Sequence, residues 1–176
     1  DSRTLRPGQL FVAVEAERDG HEFVAAAADA GAVAALVSRP VDADLPQIVV
    51  ADPVVALGEI AKLARDLLDG PVVGITGSVG KTSTKDLLAA VCGRAGPTTA
   101  SAKSLNNEMG VPLTLLGAPR DTDRTIVEMG ARGVGHIASL CRIARPTFGV
   151  VTAVAAAHVE MFGDLEGVAR AKGELI

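Results

Sequence analysis

Gly77-x-x-Gly80-Lys81-Thr82 sets glycines, a lysine and a hydroxyl in the order that phosphate binding needs. Glycines let backbone N–H groups turn inward and approach phosphate oxygens closely. The lysine reaches terminal phosphates, and the threonine hydroxyl can ligate a magnesium ion. Val72-Val73-Gly74-Ile75 before the turn reads as a short buried strand, and Leu87, Leu88 and Val91 after it recur at helical spacing. The turn therefore opens a helix, whose positive dipole end favours anions. One spacing departs from G-x-x-x-x-G-K-[ST]: position 75 is Ile75, and the glycine stands one residue earlier, at Gly74.

Three further residues carry candidate chemistry. Glu128 ends an expected strand over 125–127, and His158 lies in the loop after an expected strand over 147–152. In parallel α/β sheets ligands bind outside the carboxyl ends of strands, so both fall on the same rim as the glycine turn. A carboxylate beside a nucleotide would hold Mg²⁺. An imidazole is an unusual magnesium ligand and leaves room for Mn²⁺. Lys172 falls on the apolar side of a helix with Leu165, Val168, Ala169, Leu175 and Ile176. Either its stem packs while its ammonium snorkels to water, or it is a desolvated amine of lowered pKa. Such an amine can act as a nucleophile or take up CO₂ as a carbamate, an anionic metal ligand. Asn106 and Asn107, the chain's only asparagines, read equally as a turn or as amides contacting a polar ligand.

These residues must be positioned by an α/β framework. Leu10–Val14, Ala34–Val37 and Ile48–Val50 read as short strands, with an Ala-rich helix from Phe23 closed by Gly31. Asp52-Pro53 opens a second helix, with Asp as N-cap and Pro at its first position, and Asp69-Gly70-Pro71 ends it. A domain boundary is expected there, giving segments 1–70 and 71–176. In the second segment strands alternate with helices, which implies parallel pairing and right-handed crossovers. Glu108 is a candidate cap for a helix starting at Val111. The expected fold is a small mixed α/β N-terminal domain followed by a parallel-sheet, P-loop ATPase-type central domain.

Composition narrows the class. In 176 residues nearly half are apolar, with four Phe and no Trp or Tyr, so the core is built from Val, Leu, Ile and Ala. A net charge of −4 offers no basic field for nucleic acid. No apolar run spans a bilayer, and the first residues form no signal peptide. Cys92 and Cys141 lack metal-type spacing and read as reduced thiols, which suits the cytoplasm. A P-loop kinase or GTPase is a distant rival, and the lack of an N-K-x-D motif disfavours a guanine-reading GTPase. A nucleotide-binding module without turnover is a further alternative.

The same residues resemble the Mur ligase family, which makes amide bonds on peptidoglycan precursors. Asp1-Ser2-Arg3, Pro7–Ala13 and Gly20-His21-Glu22-Phe23 look like that family's UDP-binding N-terminal domain. Thr76-Gly77-Ser78-Val79-Gly80-Lys81-Thr82 looks like its ATP loop, and Ala157–Gly163 and Ala171–Glu174 complete the match. Asn106–Pro112 and Glu128-Met129-Gly130-Ala131 look specifically like the member that adds D-alanyl-D-alanine; the ligase adding the third residue is the nearest competitor.

The resemblance implies an ATP-dependent acid–amino-acid ligase, a cytoplasmic monomer acting on UDP-N-acetylmuramoyl-tripeptide and D-Ala-D-Ala. It implies that Thr76 to Thr82 bind ATP, with Lys81 at its phosphates and Thr82 on the first magnesium. Glu128 and His158 would bind a second metal, together with a carbamylated Lys172. Asn106 and Asn107 would lie near the muramyl peptide, and Ser2 and Arg3 near the uridine diphosphate. Lys81, Lys172 and His158 are the implied catalytic groups. Ala153 stands where the family usually has Asn, and His136 where it usually has Glu. Family members continue past the position of Ile176 into a C-terminal domain, so this segment alone is expected not to turn over.

Overall fold

A computed structural model describes residues 2–156 and 159–176, the side chains of Val159 and Glu160 excepted. The chain forms two units, Asp1–Leu57 and Gly58–Ile176.

In the first unit, β1 (Leu10–Val12), β2 (Ala34–Val37) and β3 (Gln47–Val49) pair in parallel in that order. A 3-10 turn (Gly20–Phe23) leads into α1 (Val24–Asp29), which Gly31 ends at φ +87, a left-handed conformation glycine adopts without penalty. Phe11, Ala13, Val24, Ala27, Ala35 and Val37 form the core. Asp19 caps the 3-10 turn. The His21 backbone N–H, then its ring, hold the Asp19 carboxyl down at about 2. Glu15, Asp19 and His21 cluster closely enough to hold an ion. But the His21 ring meets Asp19 at Nδ1 (2.6 Å) and accepts the Ser38 N–H at Nε2 (2.9 Å), and Arg39 pairs with both carboxylates. The cluster is already satisfied.

α2 (Pro53–Asp66) starts as expected, with the Asp52 side chain accepting from Val54 N (2.7 Å) and Val55 N (3.1 Å). Packing divides the chain inside this helix instead of after it near residue 70. Ala61 and Leu68 lie in the second unit's core with Val72 and Leu140, and Arg65 donates to Ala144 O at 3.0 Å.

The second unit is built on β4 (Val72–Thr76), β5 (Thr98–Ala100), β6 (Arg124–Glu128) and β7 (Phe148–Val151). All four pair in parallel in the order β5-β6-β4-β7. β5 was not apparent as a strand in the sequence. Its Thr-Thr-Ala carries no apolar alternation because it is a half-buried edge. α3 (Lys81–Cys92) packs on β4, β5 and β6. α4 (Gly110–Leu116) and α5 (His136–Ala144) pack on each other, and α7 (Leu165–Gly173) packs on α5 and on the short α6 (Val159–Phe162). The core joins Val111, Leu115, Val127, Met129, Ile137 and Leu140, each worth roughly 1.5–3 kcal/mol on burial. No helix among the described residues is long and apolar enough to cross a membrane.

The apolar positions of α3 do not make its buried face: Leu87 is 70% and Val91 69% exposed, and Lys85 is buried. Gly74 has a packing reason for its displaced spacing. It sits inside β4, where a Cβ would meet Leu175 Cδ1 at 2.8 Å and Pro146 Cβ at 3.2 Å. It admits α7 and the β7 approach to the sheet and takes no part in the turn. Gly74→Val is expected to lower stability by about 1–3 kcal/mol through overpacking. Urea unfolding checks this, and an unchanged midpoint would show the contact to be loose.

Candidate functional site

β4 and β6 run parallel with Ile75 opposite Glu128, so the end of β6 stands beside the start of the glycine turn. Gly77 adopts φ +147, and a Cβ there would lie 2.0 Å from Thr152 Oγ1. The turn is laced to the segment after β7. Ser78 N donates to Ala153 O (2.9 Å), Ser78 Oγ to Ala155 O (3.1 Å), and Thr152 Oγ1 to Val79 O (2.6 Å). Ala153 thus holds the loop through its backbone, which explains why a small side chain suffices there. Gly80, at φ +83, starts α3 with no side-chain cap, leaving first-turn N–H groups for an anion.

Glu128 is 1% exposed. Thr82 Oγ1 donates to its Oε2 at 3.0 Å and Asn106 Nδ2 to its Oε1 at 2.8 Å. Both oxygens meet neutral donors, and among the described residues no lysine or arginine pairs with it. A buried carboxylate lacking a counter-charge is costly, and the Thr82 hydroxyl and the Glu128 carboxylate offer a cation hard oxygen atoms. The residues present fit Mg²⁺.

Lys81 Nζ folds over the loop to Gly77 O at 2.7 Å. Lys172 is 5% exposed beside the buried Val168 and Ala171, with its Nζ 5.6 Å from the centre of the Phe162 ring. Burial, and next the Lys81 ammonium, lower its pKa below the ordinary lysine value; Glu174 opposes them. Glu174 also ties two walls together, accepting from Gly135 N and from Ala138 N (2.9 Å) at the start of α5.

Lys81, Asn106 and Lys172 border one cleft of about 190 Å³, which Glu128 and Glu174 do not line. Its floor and loop side are Gly77, Ser78 and Lys81; Asn106, Asn107, Gly130 and Ala131 form another wall; Arg132, His136, Phe162 and Lys172 complete it. The volume is below the roughly 300 Å³ of a small-molecule pocket, enough for a phosphate end and not a whole nucleotide. Thr76 is fully buried behind the loop. Thr76, Val79, Gly80 and Thr82 do not line the cleft, although Thr82 reaches Glu128.

The two asparagines divide their work. Asn106 holds Glu128, and Asn107 Oδ1 accepts from Met109 N (3.2 Å) and Gly110 N (2.9 Å), capping α4 in place of Glu108. Glu108 instead faces Arg132 (3.4 Å) and His136 (3.3 Å). Ser2 and Arg3 belong to the first unit and not to the cleft lining. His158 lies outside the described residues. Sequence reasoning missed Arg132 and Phe162 as cleft residues and Ser101, whose Oγ accepts from Glu128 N at 3.1 Å. The one available signal was that Arg132 closely follows the strand-end Glu128.

A parallel sheet with a glycine turn and lysine after an interior strand, and a strand-end carboxylate on the neighbouring strand, defines a P-loop nucleotide-binding domain. The Mur ligase middle domain matches residues 75–176, and the chain belongs to the Mur ligase family.

Relatives extend the match over the whole chain. It is 48% identical over 176 residues to UDP-N-acetylmuramoyl-tripeptide–D-alanyl-D-alanine ligase of Escherichia coli K12, covering 99% of this chain and 39% of that protein. It is 44% identical over 180 residues to the ligase of the same name from Synechocystis, covering 100% and 40%. Among solved structures it is similar to MurF from Acinetobacter baumannii (TM-score 0.93, 37% identity, 99% of this chain and 39% of that one). It is also similar to MurF ligase from Thermotoga maritima in complex with ADP (TM-score 0.90, 36% identity, 100% and 42%). The chain spans about two fifths of the length of these relatives.

The buried amine has a thermodynamic consequence. Lys172 protonates less readily in the fold than in the unfolded chain, where 10.5 is its ordinary value. Between the lowered folded value and 10.5 the unfolded state binds more protons, so the Lys172 contribution to stability rises with pH. Lys172→Met removes that slope. The variant is expected to be more stable relative to the parent near neutral pH, with the advantage shrinking towards pH 10.5. Urea midpoints of both proteins across this range, without CO₂ or metal, check it. A difference independent of pH would contradict it.

Proposed function

We propose that the full-length protein is an ATP-dependent amide ligase that joins D-Ala-D-Ala to UDP-N-acetylmuramoyl-tripeptide. One observation carries the reading: Lys81, Asn106 and Lys172 line a single cleft, and the lining Asn106 shares the buried Glu128 carboxylate with Thr82 of the phosphate-loop helix. The similarity to ligases of that name supports the choice of substrates. A third-residue-adding ligase is supported only at the level of fold, by a diaminopimelate ligase structure at 18% identity and TM-score 0.57.

In this reading the precursor carboxylate attacks the γ-phosphate of ATP, forming the acyl P–O bond as the β,γ-bridging bond breaks and ADP leaves. The amine then attacks the acyl carbon, the C–O bond breaks, and inorganic phosphate departs while the nitrogen loses a proton. The chain's own residues position and neutralise. Lys81 swings from Gly77 O to the phosphate oxygens. Loop N–H groups and the α3 N-terminus hold the phosphates. Thr82 and Glu128, with His158, would hold divalent metal, Mg²⁺ or Mn²⁺, which supplies charge neutralisation at the phosphate. A lowered pKa leaves Lys172 as a free amine able to take up CO₂, and its carbamate would face the same metal. Ser2 and Arg3 would contact the uridine diphosphate, and Asn107 the muramyl peptide. The setting is the cytoplasm, where ATP is available, and the working form is a monomer.

Phosphate release by the full-length protein with the tripeptide precursor is expected to depend on D-Ala-D-Ala and not on single amino acids. Lys81→Ala is expected to abolish acyl-phosphate formation, and near-normal product would refute its role. Lys172→Ala is also expected to be inactive, with partial recovery on adding small carboxylic acids. No recovery would count against the carbamate.

A further inference from the structure

The mechanism leaves one buried charge unused. Lys85, on α3 four residues after Lys81, is 3% exposed. Its ammonium donates to Ser101 O at 2.8 Å and to Lys103 O at 3.2 Å, and it forms an ion pair with Asp86 Oδ1 at 2.9 Å. Asp86 is its immediate neighbour on the same helix, so the two carbonyls are the ties that leave it. Burying an ammonium to hold two carbonyls is an expensive way to fill space, because an apolar side chain of that length packs without desolvating a charge.

What it holds leads to the site. Lys103 adopts φ +50, a conformation that costs a non-glycine residue about 1–2 kcal/mol, and its carbonyl is one of the two held. Ser101 N donates to Ile126 O at 3.0 Å and Ser101 Oγ accepts from Glu128 N at 3.1 Å. Three residues beyond Lys103, Asn106 reaches the Glu128 carboxylate, which Thr82 of α3 meets on its other oxygen. A ring thus closes from α3 through Lys85 to segment 101–106, through Asn106 to Glu128, and back through Thr82.

We propose that Lys85 is a positioning residue that couples the phosphate loop to segment 101–107. Nucleotide phosphate seated on α3 thereby sets Asn106 and Glu128 in place for the acceptor carboxylate. The inference rests on reading residues 77–82 as a nucleotide site, but not on which amine is ligated.

The test uses the full-length protein, Lys85→Met, and amide hydrogen exchange. In Lys85→Met, exchange over 101–107 is expected to accelerate while the β4 and β6 amides stay protected. kcat is expected to fall about 100-fold with KM for ATP within about threefold, because a misplaced acceptor wall costs turnover and not nucleotide binding. A half-saturating Mg²⁺ concentration that rises in the variant reports the displaced Glu128, a change that general destabilisation would not produce. In the unmodified protein, a non-hydrolysable ATP analogue with Mg²⁺ is expected to slow exchange over 101–107 as well as 77–82. A folded Lys85→Met with unchanged kcat and unchanged exchange over 101–107 would overturn the proposal. So would a parent protein in which the analogue protects 77–82 alone, a result that stands even where the variant fails to fold. Absence of protection everywhere would instead reject the nucleotide reading, and the variant's exchange over 101–107 would still decide the tie.

Discussion

The second unit depends on a carboxylate taken out of water. Glu128 ends an interior strand, is almost wholly buried, and is held by one hydroxyl and one amide without a cation among the described residues. Such a group is tolerated only if its lone pairs are met and its charge has a use. Thr82 comes from the helix after the glycine turn and Asn106 from the segment before α4, so satisfying one side chain joins three stretches that are distant in the chain. The parallel register of β4 and β6 makes this possible, because it brings the end of one strand beside the loop that leaves the other.

Around that carboxylate the cleft is assembled by close approach. Gly74 admits Leu175 and Pro146 against β4, and Gly77 admits Thr152 against the turn. Each absent side chain lets α7 and the segment after β7 reach the rim where Lys172 and the loop meet. Electrostatics then act at short range. Lys81 and Lys172 share the cleft; burial and then the Lys81 ammonium disfavour the charge of Lys172, while Glu174 partly restores it and anchors the first turn of α5. Two amines held near each other in a small, partly dry cleft are suited to anions, which relieve the repulsion that the fold builds in.

The first unit is held by different means. A small parallel sheet and one helix bury a modest Val, Ala and Phe core, and a polar cluster of Asp19, His21, Ser38 and Arg39 closes one end. Family membership rests on the second unit and on similarity across the whole chain.

Local chemistry was readable from residue order alone. The glycine turn, its lysine and threonine, the Asp52-Pro53 helix start, the Gly31 helix end, the strand ending at Glu128 and the apolar setting of Lys172 all depend on neighbours within a few residues. Three-dimensional packing decided the rest. Lys85 is buried while Leu87 and Val91 of the same helix face outward, because the acceptors for its ammonium lie on a segment that approaches α3 only after the sheet forms. β5 is a strand because an edge needs backbone partners more than apolar side chains, and α2 joins the second unit because its last turns find their core there. Periodicity reports the face a helix would bury against oil. It carries no information about a partner that offers carbonyl oxygens, and that partner exists only in the folded chain.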